Sequence, residues 1–288
     1  MKIAILADIH GNLPALESVM ADMENEAPDL VYVAGDLVNR CPWSNEVIAR
    51  VREQHWPVVQ GNHDLIVGTL DLAQPAHPFG NRARFPDLWW TLDHISTDDR
   101  AYLAELPPTL LIDVPAGPPI RLVHGIPGDP FVGFEPGATE ANRTKAAGVS
   151  EPYLIAAHTH RPMHETMKHL QILNPGGVGI SHNGDPRAHY LILHAQNNAW
   201  IPDFRVVEYP RAAVRAAFYS TGFMDYAGPM GELHLRTVAT GHAWASDFNF
   251  WMRDQPPALH DDIGAAVATY LQTFPDEKRW AFPVGTGV

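Results

Sequence analysis

Gly61-Asn62-His63-Asp64 follows the short apolar run Trp56-Pro57-Val58-Val59 and precedes Leu65-Ile66-Val67. An apolar strand that stops at a glycine and then presents an amide, an imidazole and a carboxylate builds no core there, which points to a site at a strand end. By itself the stretch reads equally as a plain turn, because asparagine tolerates left-handed backbone angles and caps helices. The rest of the chain decides between these readings.

Toward the N-terminus the same pattern recurs. The run 3–7 reads as a buried strand that stops at Asp8-Ile9-His10-Gly11-Asn12. Asn12 can cap the helix that follows, Pro14 fits its first turn, and Leu16, Val19, Met20 and Met23 repeat at helical spacing. Pro28-Asp29 breaks the helix, 30–34 is a second strand ending in Gly35-Asp36, and 44–52 is a second helix with Val47, Ile48 and Val51 inward. Val58-Val59 is a third strand. Strand, polar strand end and helix, repeated, is the pattern of an α/β unit with parallel strands, whose ligands gather at the carboxyl ends of the strands.

Beyond the opening stretch, 69–95 loses periodicity and is rich in proline and aromatics, among them Pro75, Pro78, Phe79, Phe85, Trp89 and Trp90. Such a loop is a lid or substrate wall, or a partner surface. Trp89 and Trp90 read as core or interface residues, stacking on a nucleobase being the other choice. A capped helix is predicted over 96–106, and a hairpin pairs 110–114 with 120–123 across Gly117-Pro118-Pro119, ending at His124-Gly125. A helix over 139–147 leads to a strand over 153–157 that stops at His158-Thr159-His160. Short strands after Arg161, the turn Asn174-Pro175-Gly176-Gly177 and a strand over 189–193 are expected to complete a second sheet. A helix over 211–219, a loop over 222–231 and, within 258–274, one amphipathic helix with Ile263, Val267, Tyr270 and Leu271 follow. The expected division is a main domain over 1–221 and a C-terminal extension over 222–288, packed on that domain or at a subunit interface.

The 288 residues can bury a sizeable core. A net charge of −13 argues against a polynucleotide partner, whose binding is driven by lysine and arginine displacing counterions, but leaves small phosphate esters open. No stretch of about 18 apolar residues could span a membrane. Lys2 is followed by only five apolar residues before Asp8, too few for an export signal. The single cysteine, Cys41, excludes an intramolecular disulfide and fits a reducing cytosol, so a cytoplasmic location is expected. Homo-oligomerisation stays open.

Collected in order, the strand ends supply Asp8 and His10, Asp36, Asn62 and His63, His124, then His158 and His160. Carboxylates, an amide oxygen and several imidazoles suit borderline divalent ions, Mn²⁺, Fe²⁺, Co²⁺, Ni²⁺ or Zn²⁺. The one-residue spacing within Asp8/His10 and His158/His160 places each pair on one side of an extended backbone.

DIHGN (8–12), GDLVNR (35–40), GNHD (61–64), His124-Gly125 and AHTH (157–160), in that order, resemble the calcineurin-like metallophosphoesterase superfamily, whose pattern is DxH, GDxxxR, GNH[DE], H and GHxH. The resemblance spans roughly 1–210, and NPGGVG (174–179) with GDPRAHY (184–190) is similar to its bacterial phosphodiesterase branch. It implies a four-layer αββα sandwich of two mixed β-sheets with two divalent ions, Mn²⁺ favoured, at their common edge. It further implies that Asp8, His10 and His160 hold one ion, that Asn62, His124 and His158 hold the other, and that Asp36 bridges them. His63 would contact the phosphate and protonate the leaving alkoxide, Asp64 would orient His63, and Arg40 would bind a phosphate oxygen. The implied reaction is hydrolysis of a small phosphodiester, with a nucleotide among the candidates, by a hydroxide bridging ions about 3.5–4 Å apart. A phosphomonoesterase or dinucleotide polyphosphate hydrolase, and a non-enzymatic metal-binding interaction scaffold, are the alternatives. Ala157, Asn39 and Cys41 depart from the GHxH and GDxVDRG patterns, and Ile126-Pro127-Gly128 follows His124-Gly125 where branch members are more polar. His182 and His189, which flank Gly184-Asp185-Pro186, are further candidates for the cleft.

Overall fold

Alternate residues of Lys2–Leu6 feed two different cores: Ile3 and Ile5 face one, Ala4 and Leu6 the other, and all four are fully buried. A strand that is apolar on both faces belongs in the middle of a layered structure. The computed structural model describes residues 1–71 and 79–275. Its strands are β1 (Lys2–Leu6), β2 (Leu30–Val33), β3 (Thr109–Ile112), β4 (Ile120–Val123), β5 (Tyr153–Ile155), β6 (Met163–Met167), β7 (Leu170–Asn174), β8 (Ala188–Gln196) and β9 (Ala199–Val207). Its helices are α1 (Leu13–Glu26), α2 (Ser44–Glu53), α3 (Asn62–Thr69), α4 (Pro86–His94), α5 (Thr97–Glu105), α6 (Thr139–Lys145), α7 (Arg211–Ser220), α8 (Phe223–Ala227), α9 (Pro229–Thr240), α10 (Trp244–Trp251), α11 (Pro257–Asp261) and α12 (Ile263–Thr273).

Two mixed sheets face each other, ordered β2-β1-β8-β9 and β3-β4-β5-β7-β6. β1 runs parallel to β2 and antiparallel to β8, while β4 and β5 run parallel. Between the sheets Ile3, Ile5, Ile120, Leu122, Ile155, Leu191 and Leu193 share one core, each side chain contributing roughly 1.5–3 kcal/mol of burial. Leu16, Val19, Val47 and Ile48 of α1 and α2 cover the outer face of the first sheet, and Phe134 and Ala146 cover the second beside α6. This is the sandwich that the motifs imply. Asn12 accepts a hydrogen bond from the Ala15 amide at 3.3 Å and caps α1.

The structure corrects several expectations. β8 joins the first sheet beside β1 rather than completing the second, and β9 is an edge strand with no counterpart in the sequence reading. Val58 makes only an isolated bridge to Val33, so the third strand is too short to count as one. Of the irregular stretch 69–95, residues 72–78, with Pro75 and Pro78, lie outside the described residues. Its last part is a helix, α4, begun by Pro86 at its first position. In place of the loop at 222–231 stand α8 and the start of α9, while the amphipathic helix expected within 258–274 is α12, capped by Asp262, which accepts from the Ala265 amide at 2.9 Å.

Beyond Gly222, Phe223 and Ala227 of α8 pack into the core of the first sheet and its helices, whereas Met230, Leu233, Trp244, Phe248, Ile263, Val267 and Tyr270 form a small core of their own. Among the described residues no helix is long and apolar enough to cross a membrane.

Candidate metal centre

β1 ends at Leu6, β2 at Val33 and β5 at Ile155, so Asp8, His10, Asp36, His158 and His160 stand on the loops just past these strand ends. Their convergence does not come from alternation along extended chain, as the spacing suggests. The φ angles are 52° at Asp8, 50° at His10, 58° at Asp36, 66° at His158 and 56° at His160, all in the left-handed region. Each such angle costs a non-glycine residue on the order of 1–2 kcal/mol. The curl is held by the main chain: the Asp8 amide donates to Gly35 O and the His10 amide to Asp36 O, both at 3.0 Å.

Two groups of donors result. In the first, the ligand atoms of Asp8, His10, Asp36 and His160 lie within 4.8 Å of one another. His160 Nε2 is 3.5 Å from Asp8 Oδ1, and His10 Nε2 is 3.5 Å from Asp36 Oδ2. In the second, Asn62 Oδ1 lies 3.0 Å from His124 Nε2 and 2.9 Å from His158 Nδ1. Asp36 belongs to both, since its Oδ2 is also 3.4 Å from His124 Nε2. One sheet and its loops supply Asp8, His10 and Asp36, the other supplies His124, His158 and His160, and Asn62 opens α3.

These residues fit divalent cations. His10, His124 and His160 donate from Nδ1 to the carbonyls of Val38, Ala34 and Ile180 at 3.1, 2.8 and 2.9 Å. A carbonyl can only accept, so the neutral His10 and His160 rings turn their Nε2 lone pairs inward, as His124 would after giving up its second proton, the outer-shell arrangement usual for metal-binding histidine. Neither buried oxygen of Asp8 has a well-formed hydrogen bond, the His158 backbone approaching without meeting hydrogen-bond geometry. A fully buried carboxylate without partners is costly unless a cation faces it.

The electrostatics carry a testable consequence. Burial raises the Asp8 carboxyl well above its usual range and holds His10 and His160 well below 6.5. Burial would lower His124 too, but the charge and hydrogen bond of Asp36 outweigh it and lift His124 to about 9. A cation arriving at His124 therefore displaces a proton near neutrality, while His10 and His160 have none to lose. Mn²⁺ affinity is expected to rise from about pH 6 to about pH 8, by roughly tenfold per unit for each proton released. Titration calorimetry in buffers of different ionisation enthalpy reads both quantities, and a pH-independent affinity without proton release would contradict the assignment.

His63 is at the second position of α3, with its amide donating to Asp36 Oδ1 at 2.8 Å. Its ring is edge-on to His10, centroids 4.9 Å apart. Asp64 does not orient it, contrary to the expectation. The Asp64 carboxylate accepts from the amides of Asp36, Leu37 and Gly61 at 2.8–2.9 Å, tying the metal loop to the start of α3. What touches His63 Nδ1 is the side-chain amide of Asn39, at 2.7 Å. Gly61 is needed for space and not for its backbone angle: its φ of −83° is ordinary, but a Cβ there would lie 2.1 Å from Asp36 Oδ1.

The comparisons bear on what such a centre belongs to. The family model described as calcineurin-like phosphoesterase superfamily domain matches residues 1–198. The chain belongs to that superfamily. A metallophosphoesterase from Sphaerobacter thermophilus is 28% identical with a TM-score of 0.65, the match covering 84% of this chain and 100% of that one. A hypothetical protein from Pyrococcus horikoshii OT3 shares the fold at 21% identity and a TM-score of 0.69, covering 84% of this chain and 98% of its own. No curated protein matches. Membership in a phosphoesterase superfamily supports a hydrolase that uses divalent metal ions.

Around the phosphoesterase centre the remaining candidates divide. Arg40 lines a cavity of about 190 Å³ together with Asn62 and His63, and its Nη1 is 3.5 Å from Asp87 Oδ2. Burial alone would raise the Asp87 carboxyl, but His234 and Arg40 hold it well below the carboxylate range. His182 reaches the centre by stacking on His160 at 4.2 Å, whereas His189 is buried behind Gly176. Cys41 is buried and its thiol is pushed up by burial, so it is no nucleophile. Trp89 and Trp90 are buried: Trp89 donates to Phe79 O at 3.0 Å, and Trp90 packs against His94, Phe223 and Tyr226. The sequence reading missed the site contacts of Asn39, Asp87, Phe131 and Asn249. Asn39 sat in a recognised motif, but only its closeness to His63 shows what it touches. Asp87 and Asn249 carry no motif at all.

Proposed function

We propose that the protein hydrolyses a small phosphodiester at a dinuclear centre, with Asp8, His10 and His160 on one ion, Asn62, His124 and His158 on the other, Asp36 shared, and water as the attacking species. The observation that carries this reading is the double donor set meeting at Asp36, with two cavities beside it. One cavity, of about 190 Å³, touches Asn62; the other, of about 130 Å³, touches His124, whose Nε2 is 3.0 Å from Asn62 Oδ1. A diester carries two substituents, and two cavities adjoin the centre to take them. When bound, two divalent ions supply charge neutralisation at the phosphoryl group and a water acidified toward neutrality. The chain's own contribution is orientation. His63 faces the ester oxygen, Asn39 fixes the His63 ring, Arg40 binds a non-bridging oxygen, and Asp64 holds the Asp36 loop against α3.

Mn²⁺ is the favoured ion, and Fe, Zn, Co or Ni suit the same donors. The buried single cysteine accords with a reducing cytoplasm. Initial rates on bis-p-nitrophenyl phosphate and p-nitrophenyl phosphate, after loading with each metal, test the reading. A faster diester reaction is expected. Preference for the monoester would move the assignment to a phosphomonoesterase, and fewer than two ions per chain with neither ester cleaved would leave a non-catalytic scaffold.

A further inference from the structure

The cavity beside Asn62 and His63 is not walled by the metallophosphoesterase segment alone. Its polar end is Arg40, and its apolar walls are Phe79, Phe85 and Phe131. Its far side is closed by Asn249 of α10, from the C-terminal extension. The wall is braced from behind. Arg84 donates from Nε to Asn249 Oδ1 at 3.1 Å and from Nη2 to the Asn249 carbonyl at 3.3 Å, and the buried Trp89 indole holds the Phe79 carbonyl. Phe79 and Phe85 meet edge to face at 5.2 Å, which leaves ring faces and edges rather than flexible chains as the lining. Phe131 stands across the opening and is 45% exposed.

Size narrows the ligand. A cavity of about 150 Å³ accepts a benzene ring, so about 190 Å³ has room for one planar ring. We infer that this cavity is the subsite for a single aromatic substituent, aryl or heterocyclic base, of the phosphate ester, and that the C-terminal extension acts through Asn249 as a specificity element. The inference rests on the phosphoesterase reading, because the ester phosphorus must sit at the metal centre for its substituent to reach Arg40 and the phenylalanines.

Three phosphonates test it as competitive inhibitors of the full chain loaded with Mn²⁺: methylphosphonate, butylphosphonate and phenylphosphonate. All three offer the same oxygens, and only the last offers a ring. Phenylphosphonate is expected to bind about tenfold more tightly than methylphosphonate, the scale of one aromatic stack. In Phe131→Ala, an exposed position, and in Phe85→Ala, that advantage is expected to shrink to roughly threefold or less while methylphosphonate binds as before. Phenylphosphonate no tighter than methylphosphonate, butylphosphonate as tight as phenylphosphonate, or an advantage unmoved in both variants would each overturn the aromatic subsite and leave the phosphoesterase reading standing. If none of the three inhibits and no ester is hydrolysed, the phosphoesterase reading itself fails and takes the subsite with it.

Discussion

Asp36→Asn is expected to leave a folded chain that no longer holds two ions. Asp36 Oδ2 lies 3.5 Å from His10 Nε2 and 3.4 Å from His124 Nε2, so the same oxygen serves both donor groups. The amide has the same shape but no charge, and whichever way it turns it offers one donor group where two acceptors are needed. Loss of an outer-shell partner alone costs roughly 10–100-fold in metal affinity or activity, and removing a shared inner ligand should exceed that. The measurement is metal content after Mn²⁺ loading and gel filtration, beside turnover of the diester and a thermal melt to establish folding. A variant that keeps two ions and full turnover would remove Asp36 from its bridging role.

His63→Ala is expected to do the opposite: keep both ions and lose turnover by about 10²–10⁴-fold, the usual range for a positioned acid, base or donor. The side chain contributes no ligand atom to either group. The amide of Asn39 donates to His63 Nδ1, which places the ring proton on Nε2. Burial also lowers the ring to about 4, so it is a neutral donor at pH 7. A neutral imidazole holds a phosphoryl or ester oxygen by hydrogen bonding but gives up its last proton poorly. The loss on replacement should therefore be similar for aryl and alkyl leaving groups. A much larger loss for alkyl esters, whose oxygen needs a proton in order to leave, would make His63 a proton donor instead.

How far these roles could be read from sequence depended on whether the cause was local. β1 and β2 are short apolar runs cut off by Asp8 and Asp36, so strand, loop and ligand are written side by side. Candidate donors repeat that arrangement after β4 and β5, so they could be picked out before any contact was known. β8 was legible as a strand but not as a member of the first sheet, because a run buried on both faces does not say which neighbour it pairs with. β9 carries Pro202, Asp203 and Arg205 and pairs with one strand only, so its alternation is weak. α9 is framed by Gly228 and Gly241 and begins with a proline, signals that resemble a loop when read singly and a helix only when read as start and stop. The Asp64 role failed for another reason. A carboxylate next to a histidine looks like its orienter, yet at the third helical position it turns back to the Gly61, Asp36 and Leu37 amides.

The split origin of the donors also matters to the chain as a polymer. His10 and His160, with Nε2 atoms 3.3 Å apart, are separated by 150 positions. An ion gripped by both would pin a loop of that length and fasten one sheet to the other at their common edge. Cross-links between such distant residues remove the most freedom from the unfolded chain, and with Cys41 alone this chain cannot make one from sulfur. The ions proposed to serve chemistry would also serve as its rivets, and stripping them with a chelator would loosen the sandwich at that edge.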